Sequence, residues 1–85
     1  DPGNSSAIDA LVKLIATSQF ESTRMRAAES LGKIAVGNNS TAIDALVKLI
    51  DTSQDEDTRR RAAESLGEIA VGNNSTAIDA LVKLI

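Results

Sequence analysis

Moved thirty-five places along itself, the chain lays Asn4–Asn38 on Asn39–Asn73 with only six differences. These are Ser6/Thr41, Ala16/Asp51, Phe20/Asp55, Ser22/Asp57, Met25/Arg60 and Lys33/Glu68. Asn74–Ile85 then repeats Asn39–Ile50 without change. A period in this range specifies stacked units, each burying its apolar face on its neighbours. The units are residues 4–38, 39–73 and 74–85, about two and a half repeats. They are expected to form a single domain over residues 1–85, near the lower size limit for a stacked core.

Each repeat reads as two helices. The first, B, runs over Ser6–Thr17 and Thr41–Thr52 and starts again at Thr76. Ala7, Ile8, Ala10, Leu11, Val12, Leu14 and Ile15 surround most of its circumference. Only Asp9 and Lys13 break the apolar surface, at the i,i+4 spacing of a favourable ion pair. A helix apolar on nearly all sides must be covered on nearly all sides, so B belongs inside the stack. Ser6, Thr41 and Thr76, each followed three places on by an aspartate, fit a capping box. The second helix, A, runs over about Thr23–Val36 and Thr58–Val71. Ala27, Ala28, Leu31, Ile34 and Ala35 form its apolar stripe, copied by Ala62, Ala63, Leu66, Ile69 and Ala70. Ser22 and Asp57 are its expected N-caps, and Gly37 and Gly72 its left-handed C-caps before Asn-Asn turns. Gly32 and Gly67 lie mid-helix at a cost of roughly 1 kcal/mol each, which points to close helix approach. The fold class is therefore all-α: five helices in the order B-A-B-A-B, stacked as antiparallel pairs in an α-solenoid.

Composition narrows the chemistry. With no Cys and no His, the chain lacks thiolate metal sites, disulfides and the commonest general base. It shows no nucleophile elbow, phosphate loop or dinucleotide fingerprint. The acidic run Asp51, Asp55, Glu56, Asp57 lacks the glycine turn and register of a calcium loop. No cofactor and no metal are expected, and an enzymatic role is not. The net charge of −3 is unevenly spread, with +1 over residues 7–41 and −3 over 42–76. That argues against nucleic acid or an anionic membrane as partner. No apolar stretch is long enough to span a bilayer and no secretory signal opens the chain, so a cytoplasmic location is expected.

The residues Thr-Arg-x-Arg-Ala-Ala-Glu-Ser-Leu-Gly-x-Ile-Ala, followed by Ala-Ile-Asp-Ala-Leu-Val-Lys-Leu-Ile, resemble HEAT-like repeats of the phycobilisome-lyase type. The first-helix core of that family matches Arg24–Ile34 and Arg59–Ile69. The second-helix core matches Ala42–Ile50 and its copies. The resemblance covers essentially the whole chain and extends to cyanobacterial HEAT-repeat arrays and to artificial consensus proteins. It implies a scaffold that binds proteins along the outward positions of the first helix. Matched onto this sequence, these are Glu21, Ser22, Met25, Arg26, Glu29 and Lys33, then Glu56, Asp57, Arg60, Arg61, Glu64 and Glu68. It also implies, for some relatives, attachment of bilin pigments, a role for which this chain carries no acid/base set.

The differences between repeats point to the same face. Ser22/Asp57, Met25/Arg60 and Lys33/Glu68 fall on it, and Phe20/Asp55 lies at its edge. The candidate protein-binding residues are thus Phe20, Ser22, Met25, Arg26, Glu29, Lys33, Asp57, Arg60, Arg61, Glu64 and Glu68. Phe20 and Met25 have two readings: an exposed hot spot, or cover for an end with no preceding A helix. Arg60 and Arg61 are expected to pair along the helix with Glu64, and Arg24 and Arg59 to reach an acid in the neighbouring repeat.

Both ends carry B helices, and the last segment is identical to an interior one. The chain therefore reads as part of a longer array or as an artificial repeat protein without a natural ligand. Open ends predict a two-fold homodimer joining like ends, or a swapped dimer exchanging equivalent helices.

Overall fold

The computed structural model describes residues 2–35, 39–70 and 75–84. Five helices follow in order: α1 (Pro2–Thr17), α2 (Glu21–Ile34), α3 (Ser40–Thr52), α4 (Glu56–Ile69) and α5 (Ser75–Leu84). Helices α1, α3 and α5 are the B helices and α2 and α4 the A helices. The B helices pack side by side as one layer, and the A helices pack on each other as a second. The result is a slab of 35 × 32 × 15 Å, whose thin dimension fits two helix layers 8–10 Å apart. This is the α-solenoid arrangement that the period predicts, and no strand occurs among the described residues. No described helix is long and apolar enough to cross a membrane.

The core lies between the layers. Leu31, Leu46, Leu49, Ile50, Leu66 and Ile69 are fully buried, and Ala27, Ala28, Ala42 and Ala62 allow the close approach. The expectation that B lies inside the stack holds for α3, which buries Ala42, Ile43, Leu46, Leu49 and Ile50. It fails by half at the two ends. Leu14 of α1 is 43% exposed and Ile78 of α5 is 44% exposed, whereas their α3 copies Leu49 and Ile43 are 1% and 3% exposed.

Helix starts fall earlier than the capping pattern suggested. α3 is capped by Asn39, whose Oδ1 accepts from the Ala42 amide at 3.0 Å. Thr41 therefore lies inside the helix, and Asp44 falls outside the first turn. Ser6 and Thr76 likewise lie inside α1 and α5. The asparagine wins because it is at least as good a cap as a hydroxyl and comes first in the chain. α1 opens on Pro2, whose missing N–H costs nothing in the first turn.

The A helices also begin early. Asp55, not Asp57, caps α4, its Oδ1 accepting from the Thr58 amide at 3.0 Å. In α2 the same place is held by Phe20, which supplies no cap, and Ser22 lies inside the helix. Both connections are tightened by a serine: Ser18 Oγ accepts from the Phe20 amide at 3.2 Å and Ser53 Oγ from the Asp55 amide at 3.1 Å. The helices end in Ala35 N–H to Leu31 and Ala70 N–H to Leu66 carbonyl bonds of 2.9 and 3.0 Å. The glycine caps expected at Gly37 and Gly72 lie outside the described residues.

The mid-helix glycines divide. A Cβ on Gly32 would stand 2.8 Å from Ser65 Cβ and 2.7 Å from Glu68 Oε1, so only hydrogen fits where α2 crosses α4. Around Gly67 nothing lies within 4 Å. The close approach inferred from both holds where a second A helix is present.

Candidate functional site

The A layer presents the candidate residues on its solvent side. Ser22, Arg26 and Lys33 of α2 are exposed, as are Asp57, Arg60, Arg61, Glu64 and Glu68 of α4, while Met25 and Glu29 are half-buried. Between the helices runs a groove of about 250 Å³ lined by Glu29, Lys33, Arg61, Glu64, Ser65 and Glu68. Helical spacing puts Glu29 and Lys33 one turn apart on α2 and Arg61, Glu64 and Glu68 on successive turns of α4. Five of the candidates therefore meet in one place. Phe20, Ser22, Met25, Arg26, Asp57 and Arg60 stand outside the groove.

Phe20 is 72% exposed at the start of α2, so it covers little of the core. Of the two readings, shielding an open end gains no support from its burial; Met25 is the partly covered member of the pair. All six differences between repeats lie at exposed positions except Met25. The core positions are the same residues in both copies.

The ion pairs differ from expectation. Arg24 and Arg59 bind acids in their own helices, Glu21 at 2.9 Å and Glu56 at 3.4 Å, not in the neighbouring repeat. Arg60 pairs with Asp57 one turn earlier, and Arg61 crosses to Glu29 of α2, so neither meets Glu64. Arg24, Arg59 and Arg60 each have an acid three places earlier within reach, whereas Arg61 has none there and points across the groove. The Asp9–Lys13 and Asp44–Lys48 pairs do not form among the described residues. Exposed pairs gain too little in water to hold two long side chains.

Beside the Arg61–Glu29 pair, the link between repeats is carried by Glu21. Its Oε2 accepts from Thr58 Oγ1 at 2.6 Å and from Ser53 Oγ at 3.2 Å, and its Oε1 from Arg24 Nη1 at 2.9 Å. Thr58 and Ser53 are buried beneath it. Sequence reasoning placed Glu21 among outward positions and gave no role to Ser53, Thr58 or Ser65. The signal was available: Ser18/Ser53, Glu21/Glu56, Thr23/Thr58 and Ser30/Ser65 are polar residues unchanged between copies, although positions 20/55, 22/57 and 25/60 among them vary.

A second groove, about 410 Å³, opens between α1 and α3, with Val12, Ile15 and Leu49 as its floor and Arg24, Asp44 and Lys48 at its rim. Among the described residues no group of three acids is placed to hold a metal ion. Among the described residues, the buried polar side-chain atoms without a hydrogen-bond partner are Arg24 Nε and Arg59 Nε, at the same place in each repeat.

Among known proteins, a family model described as HEAT repeats matches residues 8–85 of the chain. No curated protein and no solved structure matches it.

Proposed function

Because the chain belongs to the HEAT repeat family, a group that generally mediates protein–protein interaction, we propose that it is a non-catalytic scaffold or part of a longer array of such repeats. Its protein or peptide partner would lie along the outer face of α2 and α4. The observation that carries this reading is where the repeats differ. Four of the six differences, at 20/55, 22/57, 25/60 and 33/68, lie on the A helices or at their starts, over a core of the same residues. Independent change on one surface suits a face tuned to a partner. The groove supplies that face with charges of both signs.

The test is to neutralise Arg26, Glu29 and Lys33 with glutamine and to compare proteins retained from a lysate by the parent and the variant. A protein held by the parent and released by the variant, at equal helicity, supports the reading. Identical retention contradicts it.

A second reading is a structural or artificial repeat with no natural ligand, which associates only with itself through its ends. The apolar residues Leu14, Ile78 and Val82, exposed on the two end helices, favour it.

A further inference from the structure

We infer that self-association, where it occurs, is head-to-tail: the open face of α4 in one copy docks on the open face of α2 in the next. The inference rests on the self-association reading and replaces its two-fold form. Within the chain the α2–α4 contact is already built, and the thirty-five-residue period places both of its halves again at the surface. On the α2 side of that contact stand Glu21, Glu29 and Gly32; their copies Glu56, Glu64 and Gly67 form one exposed stripe of α4. On the α4 side stand Ser53, Thr58, Arg61 and Ser65; their copies Ser18, Thr23, Arg26 and Ser30 lie open or half-open on the first repeat.

Docking one stripe on the other repeats each internal contact. Glu56 meets Ser18 and Thr23 of the next copy, as Glu21 meets Ser53 and Thr58. Glu64 meets Arg26, as Glu29 meets Arg61. Gly67, with nothing within 4 Å of its Cβ position, receives Ser30, as Gly32 receives Ser65. The one substitution in this set keeps the charges complementary. Lys33 and Glu68 line the internal groove together, and across the junction Glu68 of one copy faces Lys33 of the next.

The B layer sets the condition. At each junction α5 of one copy and α1 of the next compete for one place. Ser75–Leu84 and Ser5–Leu14 differ only at Thr76/Ser6, so either helix fits it. Each end helix leaves open residues that α3 buries: Leu14 for Leu49, Ile78 for Ile43. A helix seated at the junction is covered on both sides, as α3 is. The other is released and frays, since a helix of this length is marginal alone in water. The contact is heterologous, so assembly continues past the dimer instead of closing by two-fold symmetry.

Molar mass by light scattering over a concentration series tests this on the intact chain, with refractive-index detection because Trp and Tyr are absent. Glu64→Arg sets a cation against Arg26 of the next copy, and Arg26→Glu sets an anion against its Glu64. Each variant alone is expected to need roughly tenfold more protein to associate. An equal mixture is expected to associate like the parent, because every new charge then meets its opposite. Gly67→Leu is expected to keep the helicity of the parent and lose association, by filling the space that Ser30 of the next copy needs. A mixture no better than its components, or a Gly67→Leu chain that associates like the parent, overturns the head-to-tail contact while leaving self-association standing. A parent that is monomeric at every concentration overturns both.

Discussion

Ser53, Thr58 and Ser65 are buried against α2, while Ser18, Thr23 and Ser30, the same residues one repeat earlier, are not. Glu21 accepts three hydrogen bonds, two of them from the next repeat, whereas its copy Glu56 meets only Arg59. The residues are the same and their work differs. What a position does in this stack is decided by whether a neighbouring repeat faces it. That is the expected behaviour of a quasi-one-dimensional protein, whose stability divides into repeat and interface contributions.

The contrast is breakable by paired substitutions at equivalent positions. The largest effect is expected for Leu46→Ala, which empties a site 0% exposed in α3, against Leu11→Ala at the half-buried copy in α1. Chemical denaturation should show a loss of about 3 kcal/mol for the first and markedly less for the second. Thr58→Val removes the buried donor to Glu21, and a loss of about 1–3 kcal/mol is expected, against little change for Thr23→Val. Gly32→Ala and Gly67→Ala should differ in sign. The first forces α2 from α4 and lowers the melting temperature, because Ser65 Cβ cannot swing aside. The second gains helix propensity of up to about 1 kcal/mol and raises it. The smallest difference is expected at the helix starts. Phe20→Asp should give α2 the cap that α4 has and stabilise by about 0.5–1 kcal/mol, and Asp55→Ala should lose a similar amount. Equal effects within each pair would mean that the repeats do not differ in environment.

Much of the fold was legible because the period and the helical spacing point the same way. Leu31, Leu46, Leu49, Leu66 and Ile69 recur at core positions, and all are buried. The helix starts were misread because three polar residues in a row offer competing caps. Asn39 comes before Thr41 and Asp55 before Asp57, and the first good acceptor ends the competition. The ion pairs were misread for a different reason. Arg24, Arg59 and Arg60 each have an acid three places earlier, and the crossing of α2 over α4, which sends Arg61 to Glu29, is a tertiary fact without a local signal. On the candidate face, the groove gathers Glu29, Lys33, Arg61, Glu64 and Glu68 but leaves Phe20, Met25 and Arg60 apart. Outward spacing on one helix says which residues face solvent. It does not say which of them a second helix will bring together.

Ile43 and Ile78 occupy the same place in two copies of one helix, and the chain has no cysteine of its own. Ile43→Cys and Ile78→Cys, each reacted with a thiol reagent in dilute solution, therefore compare the two environments directly. The buried position is expected to react only as fast as the chain unfolds, and the exposed one at close to the rate of a free thiol. Equal rates in dilute solution would contradict the idea that neighbouring repeats, not the residues themselves, decide what each helix buries.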